Sequence, residues 1–175
     1  HKDNRSLHYF KEVRLHKPYE SLHTNVLKST VVLFLSEILS MILQEEEANL
    51  PLFGYLETTL LWFDTVEKTG TFHQQFLMGL TKFLGINPDT SNEHLPYFNL
   101  ENGNFQYQNG AHCVTGSKLA LLKPFLGTKF DTTMSQELNS LQKHELLNMI
   151  LDYFKLHLHA FKHPRSLTIL NQVFS

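Results

Sequence analysis

Cysteine is all but missing: in 175 residues only Cys113 carries a thiol, which excludes an internal disulfide and any four-cysteine zinc site and fits a reducing compartment. Long apolar runs are missing too. The longest span about five residues, as in Val31 to Leu35, against the roughly 18 to 20 a membrane helix needs, so no segment reads as crossing a bilayer. The chain opens on His1 with no initiator methionine and no charged stretch followed by an apolar one. We therefore expect no secretory signal and a piece of a longer protein. Tandem repeats and low-complexity tracts are also absent. What is there, 42% apolar and 18% charged residues, rules out a disordered tail and suffices for one sizeable core in one or two domains.

Net charge is only −2, which by itself argues against a nucleic-acid partner, but its distribution matters more than its sum. His1 to Lys28 holds 6 Lys/Arg against 3 Asp/Glu, Ser29 to Ser117 holds 2 against 10, and Lys118 to Ser175 holds 7 against 4. If the two basic ends fold against each other, a cationic face coexists with an acidic flank that points away from phosphates. The alternative is that the acidic middle is a well-solvated helical surface.

Ser6 to His16 places Leu7, Tyr9, Val13 and Leu15 on one parity, the period of a half-buried strand. One strand cannot satisfy its own backbone, so this segment needs a sheet that the rest of the chain does not supply. His16 to Thr24 reads as the connection to a helical part.

After Asn25, a candidate N-cap, Val26, Thr30, Val31, Phe34, Leu35, Ile38, Leu39 and Ile42 follow the spacing of an amphipathic helix, ended by Glu45-Glu46-Glu47. Asn49-Leu50-Pro51 starts a second, with Leu52, Phe53, Leu56, Leu60 and Phe63 inward. A third runs from about Thr71, with Phe72, Phe76, Leu77, Leu80, Phe83 and Leu84 inward and Gly85 as its stop. Ile86 to Gly116 is a long irregular excursion with room for a short hairpin. Helical pattern resumes with Ser117 as cap, and from about Ser135 to Phe161 Leu138, Leu141, Leu146, Met149, Ile150, Tyr153, Phe154, Leu156 and Leu158 predict one long helix or two short ones, closed by Pro164. Ser166 caps a final short helix with Leu167, Ile169, Leu170 and Val173.

Motifs for bond-making chemistry are broken wherever they begin. His144-Glu145-Leu146-Leu147-Asn148 starts like a metalloprotease helix, but Asn148 stands where the second histidine is needed. His157 and His159 fall on nearly opposite helix faces, and His163 precedes Pro164, so surface histidines are expected there. Gly110 to Lys118 has the wrong glycine spacing for a phosphate loop, and His112-Cys113 has no third group to activate a nucleophile. Most of the 14 phenylalanines sit on inward stripes. Tyr9, Phe10, Tyr19 and Tyr107 remain for stacking, the first three interleaved with Lys11, Arg14 and Lys17.

The chain resembles the RecO family of bacterial recombination mediators. The resemblance is carried by Leu7-His8-Tyr9-Phe10-Lys11-Glu12-Val13-Arg14, by Lys28-Ser29-Thr30 leading into Phe34-Leu35-Ser36-Glu37-Ile38-Leu39, and by Glu45-Glu46-Glu47-Ala48-Asn49 with Leu52-Phe53. It continues through Phe72-His73, Phe76-Leu77, Leu80 to Gly85, Tyr97 to Phe105 and Tyr153 to Leu158, covering nearly the whole chain. It implies a mainly α fold, in which residues 1–24 are the last strand and linker of an N-terminal OB-fold barrel. Residues 25–175 are then a helical bundle domain with an irregular insertion at about 86–116. Zinc-binding members carry four cysteines in the region matching Tyr97 to Thr115; with Cys113 alone, a metal-free version and no cofactor are expected.

The resemblance further implies a non-enzyme of the bacterial cytoplasm and nucleoid. Such a protein binds single- and double-stranded DNA, anneals strands, engages the acidic tail of single-stranded DNA-binding protein and acts with RecR to load RecA. That work needs cations for phosphates and a greasy basic pocket for an acidic peptide. Lys11, Arg14 and Lys17 are the DNA candidates; Lys143, Lys155, Lys162 and Arg165 are candidates for phosphate or tail contact. The competing class is a helical adaptor that binds only protein, through its acidic middle.

Overall fold

Asn25 opens α1 (Val26–Ile42) by accepting the Leu27 and Lys28 N–H groups on its side-chain oxygen. Asn49 does the same for α2 (Leu50–Thr65) through Leu52 N–H, with Pro51 in the first turn, where its missing N–H costs nothing. The computed structural model describes residues 12, 14, 17–43, 48–67, 70–127 and 138–174. The predicted strand Ser6 to His16 lies outside these apart from Glu12 and Arg14, as does Glu45-Glu46-Glu47.

Regular helix α3 (Phe72–Leu80) ends four residues before the predicted Leu84, because the Thr81 hydroxyl donates to the Met78 carbonyl. Turns carry the path on to Gly85, whose φ of 71° lets Ile86 N–H reach back to the Thr81 carbonyl at 3.1 Å. The Phe63 ring on α2 lies flat against Phe72 on α3, centroids 3.7 Å apart. Phe34, Phe76, Phe98 and Phe154 join Phe63 among the fully buried side chains of one continuous core.

The excursion after α3 folds into a small antiparallel sheet. Central β1 (Tyr97–Asn99) pairs with β2 (Asn104–Gln106), Phe98 opposite Phe105, and with β3 (Cys113–Val114), Phe98 opposite Val114. α4 (Gly116–Leu122) follows, capped in position by Thr115 rather than the predicted Ser117; the Thr115 hydroxyl is spent on the Pro96 carbonyl. α5 (Ser140–His157) is a single helix opened by a reciprocal Asn139–Gln142 capping box. It stops at His157, well before Pro164. α6 (Leu167–Val173) begins after Ser166, but that hydroxyl binds Glu37 on α1 instead of capping.

α3 and α4 pack on α5, and α6 packs on α1. The sheet is fastened to the end of α5: the Tyr153 hydroxyl donates to the Ile86 carbonyl at 2.7 Å, and His157 Nε2–H donates to the Leu100 carbonyl at 2.9 Å. His157 is therefore half-buried, not a surface histidine.

Three residues predicted inward face solvent: Val26 (69% exposed), Phe53 (64%) and Leu141 (76%). Each lies within the first four residues of its helix, and burial there depends on a tertiary neighbour that periodicity does not specify. Ile169 is exposed for the same reason.

Candidate nucleic-acid and acidic-peptide interface

Segment 17–25 is tied to the helical body chiefly by the Asp64 carboxylate. Asp64, at the end of α2, accepts the N–H groups of Glu20, Ser21 and Leu22. Burial pushes this carboxyl up, but those donors and the Ser21 hydroxyl outweigh it and hold its pKa at about 2. Lys28 is buried beside it, its ammonium on Ser21 Oγ at 2.6 Å and the Asp64 carbonyl at 2.8 Å. One of the six N-terminal cations is thus structural.

Of the three predicted DNA contacts, Lys11 lies outside the described residues. Arg14 is exposed and paired with Glu12 at 2.6 Å, and Lys17 reaches Glu57 on α2 at 3.3 Å. Exposed pairs of this kind are worth at most about 1 kcal/mol, so both cations stay exchangeable toward a phosphate. Of the four stacking candidates, Tyr9 and Phe10 lie outside the described residues, Tyr19 packs against the core, and Tyr107 is exposed.

The four C-terminal cations do not form one patch. Lys143 and Lys155 stand at opposite ends of α5, twelve residues or about 18 Å apart along its axis. Lys162 and Arg165 are exposed in the link to α6, where the Arg165 N–H and Ser166 N–H donate to the Glu37 carboxylate at 2.8 and 2.9 Å. The C-terminal basic segment thus folds onto α1 through Glu37, a residue of the acidic middle segment and not of the basic N-terminal one.

Lys155 instead meets Lys118, from α4, across an open cleft of about 590 Å³ between β3, α4 and α5. Leu100, Val114, Met149 and Leu156 give it apolar walls, and His112 adds a further basic group at its edge. Asp152, the acid in the lining, stands 3.9 Å from His163, and Lys118 stands 3.5 Å from Glu145. Among the described residues no ion pair holds Lys155. Nothing in the linear pattern joins Lys118 to Lys155; the packing of α4 on α5 does.

Cys113 lines the same cleft, and the Gln106 amide donates to its sulfur at 3.2 Å. The residues here do not fit a tetrahedral zinc, which needs four such donors. Among the described residues no cluster of three His, Cys, Asp or Glu could hold a metal ion.

A family model described as Recombination protein O C terminal matches residues 23–167. The chain belongs to the RecO family. Its RecO relatives include the protein named DNA repair protein RecO in Christiangramia forsetii, 39% identical over 175 residues that span 99% of this chain and 73% of that one. The protein of the same name in Flavobacterium johnsoniae is likewise 39% identical, over 100% and 73% of the two chains, and that of Bacteroides fragilis is 31% identical over 99% and 74%. No solved structure matches. Among the described residues of this RecO-family chain, no helix is long and apolar enough to cross a membrane.

Proposed function

We propose that this RecO-family chain serves DNA repair and recombination as a mediator that performs no bond-making chemistry. In this reading it binds single- and double-stranded DNA in the bacterial cytoplasm, at the nucleoid, and anneals complementary strands. It also holds the acidic tail of single-stranded DNA-binding protein, and acts with RecR to load RecA. Its relatives' shared name supports the repair role, and the cleft between Lys118 and Lys155 carries the mechanism.

An acidic peptide ending in an apolar side chain needs cations at a rim and a greasy wall within reach, and this cleft offers both. Lys118 and Lys155 take the carboxylates there, while Met149 and Leu156 take the terminal side chain. Lys11, Arg14 and Lys17 contact DNA phosphates, with Lys143, Lys162 and Arg165 as further phosphate contacts. Residues 1–24 then belong to the barrel side of the molecule and residues 25–175 to the helical side.

Fluorescence anisotropy of a labelled acidic, phenylalanine-ended peptide tests the cleft. Lys118→Glu with Lys155→Glu should weaken binding at least tenfold, and an unchanged affinity would sink the assignment. The adaptor reading draws on Leu50 and Phe53, both exposed on α2; gel retardation of single-stranded DNA across a salt series separates the two, since an adaptor leaves the DNA unshifted.

A further inference from the structure

Leu50, Phe53, Glu57 and Asp64 follow one another along a single face of α2, because their spacings keep to the helical period. The segment that leads into α1 covers the far half of this face. Asp64 holds the Glu20, Ser21 and Leu22 N–H groups, and two turns nearer the helix start Glu57 takes the Lys17 ammonium at 3.3 Å. From residue 22 back to residue 17 the chain therefore runs down α2 from its end toward its beginning. The near half of the same face is apolar and open to solvent: Phe53 is 64% exposed and Leu50 77%.

The rise along the two paths decides what comes level with them. An extended chain advances about 3.3 Å per residue and a helix about 1.5 Å. On the same path, two residues upstream of Lys17 cover the helical turn from Glu57 to Phe53, and four cover the two turns to Leu50. The residues at those steps are Leu15 and Val13, both apolar. The residues that alternate with them, Arg14 and Glu12, are charged, exposed and paired with each other at 2.6 Å. Side chains two apart in an extended chain share one side, which leaves the opposite side for their neighbours.

We propose that Leu15 and Val13, which lie outside the described residues, dock on Phe53 and Leu50, so that this face of α2 seats the upstream part of the molecule. The docking continues the path that Asp64 and Glu57 begin, and it leaves Arg14 turned outward, toward a phosphate. A second copy of the chain is the poorer occupant, since two side chains fall far short of the roughly 800 Å² per partner that a stable interface buries. The surface on which the adaptor reading draws is then occupied by the chain itself.

Photo-cross-linking on the full chain tests this. With p-benzoylphenylalanine in place of Phe53, the expected product is an intramolecular cross-link to a residue from 12 to 16, located by mass spectrometry. The same group in place of Leu141, exposed on α5, should give none there. Leu50→Glu with Phe53→Glu should speed tryptic cleavage after Arg14 roughly fivefold, with the helical circular dichroism intact. A cross-link from position 53 to a second copy, to any other segment, or to nothing would overturn the proposal, whether or not the glutamate variant folds. So would an unchanged cleavage rate in a folded variant.

Discussion

Ser21 is held by Asp64 through both of its donors: its N–H reaches Oδ1 at 2.7 Å, and its hydroxyl reaches the same oxygen at 2.9 Å and the Asp64 carbonyl at 2.6 Å. With the Glu20 and Leu22 N–H groups added, one carboxylate fixes the entry of the chain into α1. A carboxyl held at about 2 when folded and near its ordinary value when unfolded stabilises the fold above about pH 4. That contribution is lost as pH falls toward 2. Asp64→Ala should therefore cost about 1 kcal/mol at pH 7 in urea unfolding, the solvent beside this carboxylate screening much of the effect, and the gap to wild type should narrow as pH falls through about 2.

Glu37 acts in the same way at the other end of the chain, accepting the Arg165 and Ser166 N–H groups and the Ser166 hydroxyl. Burial raises its pKa, but the Ser166 bonds, the Arg165 N–H and the Arg165 charge bring it below the usual value. Glu37→Ala should release the start of α6. Hydrogen exchange reads this as a roughly tenfold faster rate at the Ser166 and Leu170 amides, with the α5 amides unchanged.

These two clamps also show where the sequence was legible. Asn25, Asn49 and Pro51 announce their helices because caps are local chemistry, and Gly85 announces a stop because its φ suits no other residue well. The sheet in residues 97–114 was legible only as room for a short hairpin, which β1 and β2 supply, while its strand positions and β3 were not, since strands of two or three residues are too short to show a period. Ser166 looks like a cap but spends its hydroxyl on Glu37, far away in sequence, and the cap expected at Ser117 falls instead on Thr115, whose hydroxyl goes to the Pro96 carbonyl. Lys28 looks like a solvated cation and is buried on Asp64. The cleft was half legible: Lys155 stood out as a helical cation, whereas Lys118 gained meaning only once α4 lay against α5.

For DNA, the salt slope is as informative as the affinity. Replacing Lys11, Arg14 and Lys17 together with glutamine, in a protein that retains the whole upstream region of its relatives, should weaken single-strand binding. The salt dependence should flatten by about 0.7 for each phosphate no longer neutralised. Equal slopes for variant and wild type would place the DNA elsewhere.

Gly103 lies between the sheet and α5 with φ at 67°, and a Cβ there would meet the Tyr153 hydroxyl at 2.8 Å. That hydroxyl is tethered to the Ile86 carbonyl and cannot give way cheaply. Gly103→Ala should cost about 2 kcal/mol and lower Tm by roughly 4 to 8 °C. In a Tyr153→Phe background the same change should cost less, because the clashing oxygen is gone; strict additivity in thermal unfolding would disprove the clash.

His73 gives the clearest pH signature. Burial first, then Lys143 and His144 on α5, hold its pKa at about 3 in the folded chain, against an ordinary value of 6.5. Phe34 from α1 and Phe174 after α6 close the remaining sides with rings, which offer no compensating charge. Between those two pH values the unfolded chain binds a proton that the folded chain refuses, so stability falls as pH falls through 6.5 toward 3. From pH 7 to pH 5 the linkage is worth about 2 kcal/mol. His73→Gln keeps a polar group at the site but removes the titration. Urea unfolding at the two pH values should therefore show wild type losing about 2 kcal/mol more than the variant, and parallel losses would mean that His73 takes up its proton in the folded state.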